Sequence, residues 1–428
     1  MDPKAGDRVK VITEDEQLEG ILMPRPEILE EGFIVIKLDN GYNIGIEKKK
    51  VKKIELIDEY KKQKSEKKEL KFNKSLPTVS VLSAGGTISS KIDYKTGGVY
   101  ADYTAEDFVE MIPELENIAN IKAKKIMSMM SEDISYREWS KIAEEIAKEL
   151  NSDASGVVLA MGTDTLHYAA AALSFFLKPS KPVVITAAQR SIDRGSSDAF
   201  MNLSCAITAA AKSDIAEVTT CLHGTINDDY CLLIRGTKVR KMHTSRRDAF
   251  RPVNEEPIAK VFENGKIEIT NKNYKKKSNE KTIVDDKFEE KTALIYIYPG
   301  MEPEVIDFYL SKGYKGIVLA ATALGHVPTE ASKSNLLPHI KKAIDRNIPV
   351  VIATQTLYGR VHPYVYTNLR KLSIQLSCIF AEDMLPEVAY IKLGWVLAHT
   401  KNMEEIKKLM LTNVAGEITE RSSTGFLL

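Results

Sequence analysis

Residues 79–87, with the sequence VSVLSAGGT, place a short apolar strand directly before a glycine-rich turn. The pattern returns in residues 156–164, GVVLAMGTD, and a third apolar strand, PVVIT, occupies residues 182–186. Helical segments lie between and after these strands, and one of them begins with a predicted capping box at Ser135 and Glu138. Strands that alternate with helices in this way predict a parallel, doubly wound α/β sheet.

The chain has 428 residues, enough for two or three domains with large cores. Its 60 basic and 59 acidic residues give a net charge of +1, which argues against a wholly basic nucleic-acid-binding protein and against an acidic disordered tail. No apolar run approaches the ~18 residues of a membrane-spanning helix, and the charged N-terminus shows no apolar signal region. Four scattered cysteines are too few for a disulfide framework. We therefore expect reduced thiols and a cytoplasmic protein.

Residues 1–57 are predicted to form a small SH3-like β-barrel. Four or five short runs rich in β-branched residues follow one another there, and the pair Asn40-Gly41 supplies the positive φ angles that a tight hairpin turn needs. Residues 58–75 are mostly charged, contain no proline or glycine, and are predicted to be a linker. The segment 48–74 holds twelve lysines against five acidic residues, which indicates either a solvated surface or an electrostatic contact with RNA or an acidic partner.

Two α/β domains follow this linker in the predicted organisation. The first is assigned to residues 76–265 and contains the strands quoted above. A polar, lysine-rich stretch, 266–291, is predicted to join it to a second α/β domain at residues 292–428. The strands predicted in this second domain are 294–297, 317–320 and 350–352.

Two threonines follow strands of the first domain, where ligands bind in parallel α/β sheets. Thr87 comes after the glycines at 85–86, whose missing side chains permit a sharp turn and let a substrate approach backbone amides. Such glycines alone are more often a plain tight turn, and a pair such as Thr163-Asp164 is more often a helix N-cap. Together with Lys241 these residues predict nucleophilic catalysis on an amide, because a threonine hydroxyl needs a base and a desolvated lysine held by a carboxylate can serve as one.

Other kinds of site have weaker support in the sequence. The seven histidines show no metal-ligand spacing. Cys221, His223 and Cys231 flank a predicted hairpin at residues 227–229, which favours core and turn roles over metal binding. The sequence contains neither a Gly-x-Ser-x-Gly nucleophile elbow nor a Walker-type phosphate loop. We therefore expect no metal and no cofactor on this chain.

Four segments, in their order and in their flanking residues, resemble the active-site motifs of the L-asparaginase and glutaminase family. The resemblance covers residues 76–428 and is stronger than any single motif. It implies two doubly wound α/β domains and hydrolysis of a side-chain amide. The segments are the first motif at 81–88, a carboxylate-binding loop at 131–134, the second motif at 161–165 and a lysine motif at 241–250, with a further structural motif at Ser197-Asp198 and Asn202.

The resemblance also implies a role for each candidate residue. Thr87 would be the primary nucleophile, and Thr163, Asp164 and Lys241 would activate it. Asp164 would in addition bind the α-amino group of the substrate, and Ser131 its α-carboxylate. The residues expected to bind substrate are Ser131, Glu132, Gly86 and Gly162.

The family places a catalytic tyrosine on a loop soon after the first threonine. Tyr94 and Tyr100 both lie in that region of this chain, and the sequence does not choose between them. The family also builds each active site between the first domain of one protomer and the second domain of its neighbour, which implies a homodimer. Residues 323–328 resemble the C-domain loop at that interface, although a plain strand-to-helix turn would look the same.

Residues 1–75, which a free asparaginase does not need, and the loop 93–98 resemble the branch of the family that serves tRNA-dependent amidotransferases. That branch implies hydrolysis of glutamine (or asparagine) and delivery of ammonia to a partner protein, the E subunit of the amidotransferase. This partner would hold ATP and magnesium and convert Glu-tRNA(Gln) to Gln-tRNA(Gln). The nearest alternative is a free cytoplasmic L-asparaginase. A non-catalytic RNA-binding or scaffold protein is disfavoured, because all four candidate catalytic residues are present.

Overall fold

The computed structural model describes most of the chain. Thr87, Tyr94, the Asn40-Gly41 turn and most of the predicted linker lie outside the described residues, and of Tyr100 only the backbone is described. The described ranges are 3–23, 32–39, 43–59, 72–86, 90–92, 99–101, 112–190, 196–330 and 333–421.

The N-terminal segment forms one antiparallel sheet, which is consistent with the predicted small barrel. Its strands are β1 Arg8–Thr13, β2 Gln17–Leu22, β3 Phe33–Lys37, β4 Asn43–Glu47 and β5 Val51–Asp58. They are ordered β4–β3–β2–β1–β5. β3 and β4 pair with Phe33 opposite Glu47, so the strands on both sides of the predicted turn form a hairpin. Val9, Val11 and Ile36 lie in its small buried core.

An eight-stranded sheet carries the first α/β domain. Its strands are β6 Thr78–Ser83, β9 Asn120–Lys125, β10 Gly156–Ala160, β12 Val183–Thr186, β13 Val218–His223, β14 Cys231–Arg235, β17 Ala259–Val261 and β18 Ile267–Ile269. Neighbouring strands along β9–β6–β10–β12–β13 are parallel, as predicted. The remaining three strands extend the sheet as antiparallel partners. The mixed sheet follows from hairpins at 224–230 and 262–266, which turn the chain back on itself.

Alternate residues of the central strands face helices on opposite sides of this sheet. The helices are α1 Tyr136–Leu150, α2 Leu166–Phe176 and α3 Ala199–Lys212. Leu82, Val157 and Leu159 pack with α1 and α2 in one core cluster, whereas Val81 and Val158 pack with α3 in another. This arrangement confirms the doubly wound architecture. The predicted capping box begins α1, where the Glu138 carboxylate accepts a hydrogen bond from the Ser135 backbone N–H at 2.8 Å.

Three two-stranded ribbons complete this part of the chain. They are β7 Ser90–Ile92 with β8 Val99–Ala101, β11 Leu177–Lys178 with β19 Ile283–Val284, and β15 Val239–Lys241 with β16 Phe250–Pro252. The ribbon β15–β16 pairs Lys241 with Phe250, so this ribbon carries one of the candidate catalytic residues.

The second α/β domain is a four-stranded parallel sheet. Its strands, in spatial order, are β20 Thr292–Tyr296, β21 Gly316–Ala321, β22 Val350–Thr354 and β23 Ile379–Phe380. Its helices are α4 Glu304–Ser311, α5 Leu337–Asp345, α6 Thr367–Arg370, α7 Pro386–His399 and α8 Met403–Leu411. The three strands predicted from sequence are thus confirmed.

One hydrophobic core joins the two α/β domains. Helix α7 packs against α2 of the first domain on one side and against the second sheet on the other. Val318 and Val388 of the second domain belong to the same buried cluster as Leu159 and Leu173 of the first. The domain positions are therefore held by continuous apolar contact. Within the described residues, no helix has the length and apolar character needed to span a bilayer.

Candidate active site

Two glycines let neighbouring loops approach closely at the carboxyl edge of the first sheet. Gly85 and Gly86 follow β6 with φ angles of +106° and +83°, a region that side chains with a Cβ rarely adopt. A Cβ added to Gly86 would lie 2.6 Å from the Cα of Gly162, the second residue after β10. Two loops at adjacent strand ends therefore touch through bare backbone. Thr87, the predicted nucleophile, is the next residue along the chain and lies outside the described residues.

Ser131 packs beneath the second loop. It begins a short 3₁₀ turn, Ser131–Asp133, and is buried. Its hydroxyl oxygen accepts a hydrogen bond from the backbone N–H of Asp164 at 3.1 Å, and the Thr165 hydroxyl donates to the Ser131 carbonyl. An added Cβ on Gly162 would lie 2.9 Å from the Ser131 Oγ. Ser131 and residues 162–165 thus form one tightly packed unit.

Lys241 reaches this unit from the ribbon β15–β16. Its Nζ donates to the Thr163 Oγ1 at 2.8 Å and to the Asp164 Oδ1 at 2.7 Å. The lysine side chain is 10% exposed, whereas that of Asp164 is 64% exposed. The hydrogen bond from Lys241 holds the pKa of the Asp164 carboxyl below its usual range. The lysine side chain is therefore desolvated, and the carboxylate still faces solvent, where a substrate can reach it.

Glu132 and the further structural motif lie outside this contact. Glu132 is exposed on the turn beside Ser131. Asp198, the first residue before α3, accepts backbone N–H groups of Gln189 and Arg190, and Asn202 donates to the Ala187 carbonyl at 2.9 Å. These contacts hold residues 187–190, directly after β12, so the further motif is structural.

The buried cysteines and His223 have the core and turn roles predicted for them. Cys221 and Cys231 are fully buried, and His223 contacts Asn202 at 2.6 Å and Asp228 at 3.0 Å through its two ring nitrogens. Among the described residues, no three His, Cys, Asp or Glu side chains are grouped as metal ligands would be.

Sequence reasoning missed two ion pairs that join residues 238–240, next to Lys241, to the second domain. Arg240 donates twice to Glu387 of α7, with both distances 2.8 Å, and Lys238 donates to Asp383 at 2.8 Å. The available signal was the run of three cations at 238–241, but its partners lie about 145 residues away in the chain. Nothing local in the sequence pairs them.

The arrangement is chemically suited to activating a hydroxyl. A lysine held by a threonine hydroxyl and a carboxylate, in a partly desolvated position, can in its neutral amine form accept a proton when a neighbouring nucleophile attacks. Bare backbone amides at the glycine-rich loop can stabilise a developing oxyanion. The exposed carboxylate of Asp164 can hold a cationic group of a substrate.

Family models match three successive parts of the chain. The description "GatD N-terminal domain" matches residues 4–57, "Asparaginase, N-terminal" matches 78–275, and "Glutaminase/Asparaginase C-terminal domain" matches 291–410. These matches cover more than half of the chain.

Curated relatives match nearly the whole chain. The D subunit of glutamyl-tRNA(Gln) amidotransferase from Pyrococcus furiosus is 53% identical over 97% of this chain and 95% of its own length. The protein of the same name from Methanobrevibacter smithii is 46% identical over 99% of this chain and 96% of its own length.

Two solved L-asparaginase structures match most of the chain. The thermostable L-asparaginase from Thermococcus kodakarensis has a TM-score of 0.72 and 31% identity, and the match covers 80% of this chain and 99% of that protein. L-asparaginase I from Vibrio cholerae has a TM-score of 0.69 and 28% identity, with the same coverage. The chain therefore belongs to the asparaginase/glutaminase family and, within it, to the family of glutamyl-tRNA(Gln) amidotransferase D subunits.

Proposed function

We propose that the chain hydrolyses the side-chain amide of glutamine and supplies the ammonia to a partner that converts Glu-tRNA(Gln) to Gln-tRNA(Gln). The observation that carries this proposal is the contact of Lys241 Nζ with both Thr163 and Asp164, beside the glycine-rich loop that leads into Thr87. Full-length similarity to proteins named as amidotransferase subunits supports the biological setting.

In the proposed reaction, the Thr87 hydroxyl oxygen bonds to the amide carbon while its proton passes to the group formed by Thr163, Lys241 and Asp164. Backbone amides at the glycine-rich loop stabilise the oxyanion. The carbon–nitrogen bond then breaks, and the nitrogen takes up a proton and leaves as ammonia. Water attacks the resulting ester, which releases glutamate and restores the Thr87 hydroxyl.

Substrate binding follows from the two loops that meet at this edge. The carboxylate of Asp164 binds the α-amino group, because it is ionised and exposed. The Ser131 hydroxyl accepts a hydrogen bond from the Asp164 amide, so its own proton can be donated to the α-carboxylate. Gly86 and Gly162, the other residues expected to bind substrate, let the two loops and Ser131 pack closely enough to present these groups together, and Glu132 is exposed on the turn beside Ser131.

We also propose that the chain forms a homodimer. The end of β20 and the segments that follow β20 and β22 carry large apolar side chains that are more than half exposed. The Tyr366 ring packs on His326 of the 323–328 loop at 5.1 Å. An exposed apolar surface of this kind is typical of an interface. The exposed side chains are Tyr296, Tyr298, Tyr364, Val365, Tyr366 and Ile374.

The partner E subunit, which we expect to hold ATP and magnesium, would join this dimer in a cytoplasmic heterotetramer that binds Glu-tRNA(Gln). The N-terminal sheet supports this setting, because residues 4–57 match the model described as the GatD N-terminal domain. We expect this part of the chain to serve the assembly.

The test is ammonia release from glutamine and from asparagine, measured for the full chain alone, with the partner, and with the partner and Glu-tRNA(Gln). We expect glutamine hydrolysis that rises when partner and charged tRNA are added, with uncharged tRNA as the control. If the chain hydrolyses asparagine at a rate that neither the partner nor Glu-tRNA(Gln) changes, the proposal is wrong and the chain is a free L-asparaginase. Absence of any hydrolysis in every mixture would favour a non-catalytic protein.

A further inference from the structure

Three cations follow one another closely in residues 238–241, and two of them are held by the second domain. Lys238 contacts Asp383 and Arg240 contacts Glu387, while Lys241 contacts the catalytic group of the first domain. Successive side chains of a strand point to opposite faces. Arg240 therefore anchors one face of β15 while Lys241 projects from the other.

We propose that Glu387, acting through Arg240, positions Lys241 against Thr163, so that the second domain sets the geometry of the catalytic base. The proposal rests on the role assigned to Lys241 under the proposed function. Glu387 is a positioning residue in this account and does not touch the substrate.

The ribbon that carries Lys241 needs such an anchor. β15 has three residues and pairs with the three residues of β16, which is little backbone to hold a long lysine within hydrogen-bond distance of a hydroxyl. In the Arg240–Glu387 contact, one guanidinium nitrogen donates to both carboxylate oxygens at 2.8 Å, so charge-assisted hydrogen bonds tie β15 to α7. Glu387 is 2% exposed and lies in the first turn of α7, whose position is set by the core shared by both domains. A rigid helix thus fixes the residue next to Lys241.

A buried histidine lies in the same layer. His167 Nε2 is 3.9 Å from the Glu387 Oε1, and its Nδ1 has no hydrogen-bond partner among the described residues. Burial, together with the nearby Arg240 and Lys241, lowers the pKa of His167 to about 4. The neutral ring adds no third positive charge beside the two cations, so Glu387 is left to compensate Arg240.

The test uses Glu387→Gln and Arg240→Lys in the full-length chain, assembled with its partner. Arg240→Lys keeps the positive charge but replaces the rigid planar guanidinium with a flexible ammonium group, so it loosens the anchor without removing the charge. For each variant we expect kcat on glutamine to fall about 100-fold, since a displacement of about 1 Å in a catalytic group costs that much, while KM stays near that of the wild type. The double variant should lose no more than the worse single variant, because both act through one contact.

Glu255→Gln is the matched control. It removes a carboxylate from another buried arginine pair, Arg235–Glu255, on strand β14, which carries none of the site residues. No fall in kcat is expected there, and the loss of thermal stability should not exceed that of Glu387→Gln, because Arg235 also pairs with Glu217. If Glu387→Gln does not fold, Arg240→Lys decides the outcome.

Crystal structures of the variants test the position of Lys241 independently of the activity measurements. We expect Lys241 Nζ to leave hydrogen-bond distance of the Thr163 hydroxyl. Unchanged kcat, a rise in KM alone, or a lysine that keeps its place would each overturn the proposal. If the wild-type complex hydrolyses no amide, the proposed function fails, and the position of Lys241 in the variant crystals still decides whether Glu387 positions it.

Discussion

Lys241 Nζ lies 2.8 Å from the hydroxyl oxygen of Thr163, although 78 residues separate the two in the chain. The lysine comes from a short ribbon, and the threonine from the loop after a central parallel strand. Their meeting places a desolvated amine beside a hydroxyl at the edge of the sheet where ligands bind. Activity should depend on that contact and on the elements that hold it.

Thr87→Val should abolish glutamine hydrolysis and leave the fold intact. The change keeps the volume of the side chain and removes the hydroxyl, so the rate should fall by several orders of magnitude. Ammonia release and circular dichroism measure the two effects. Thr412→Val, at an exposed threonine that ends α8, is the control and should keep full activity. Hydrolysis within about tenfold of the wild type would exclude Thr87 as the nucleophile.

Lys241→Met should remove activity with little loss of stability, whereas Lys238→Met should cause a large loss of stability. Lys241 faces an Asp164 that is 64% exposed, so water can replace the amine, and we expect lost activity with less than about 1 kcal/mol of lost stability. Lys238 and Asp383 are both buried, so removing the amine leaves a buried carboxylate without its cation and should cost about 3–5 kcal/mol. Urea unfolding of both variants checks the contrast. A large stability loss in Lys241→Met would make that lysine a structural ion-pair partner instead.

Gly86→Ala should lower activity far more than Gly300→Ala. Both glycines have a positive φ, +83° and +80°, so alanine strains both backbones by about 1–2 kcal/mol. At Gly300 nothing lies within 4 Å of an added Cβ, whereas at Gly86 that atom would meet Gly162 backbone at 2.6 Å. The loops after β6 and β10 must then separate, and kcat should fall about 100-fold or more. Equal kcat values for the two variants would show that this close approach does not matter for catalysis.

His167 should make the protein less stable as the pH falls from about 6.5 to 4. Its pKa is lowered from 6.5 to about 4 by burial, so in this range the unfolded chain binds a proton that the folded chain does not. The contribution of the neutral ring to the free energy of unfolding is fully present above pH 6.5. It is lost as the pH falls towards 4, and the total loss is about 3 kcal/mol.

Urea unfolding of wild type and His167→Gln at several pH values isolates this contribution. The stability of His167→Gln should fall less steeply on acidification than that of the wild type, whereas His362→Gln, at an exposed histidine, should follow the wild type throughout. Parallel curves for wild type and His167→Gln would mean that His167 does not titrate as described.

Deleting residues 1–71 should leave the two α/β domains folded and weaken the response to tRNA. The cut keeps the hydrogen bonds between Asn73 and Asn120 that begin the first domain. Stimulation of glutamine hydrolysis by the partner and Glu-tRNA(Gln), with full-length chain as the reference, is the measurement. If lysines of the segment 48–74 contact phosphates, the full-length protein should also show the steeper salt dependence. Equal stimulation of both forms would remove the proposed role of the N-terminal domain.

Local residue patterns were enough to predict the fold class, and together with the family resemblance they singled out three residues that the structure brings into contact. Apolar strands at 79–82 and 156–161 are buried on both faces, and this burial leaves a local hydrophobic signature. The capping box at Ser135, the hairpins, and the Thr163-Asp164 and Lys241 motifs are also short-range patterns. The structure brings Thr163, Asp164 and Lys241 together as the family resemblance implied.

The pairing of charges across the domains, in contrast, followed from tertiary packing alone. Arg240 has acidic residues nearer in the chain, yet it pairs with Glu387, 147 residues away, because the shared core fixes α7 against β15. The lowered pKa of His167 likewise depends on burial by helices that are distant in sequence. Ion pairing and desolvation depend on distances in space, and a local pattern of residue types carries no information about those distances until the core has packed.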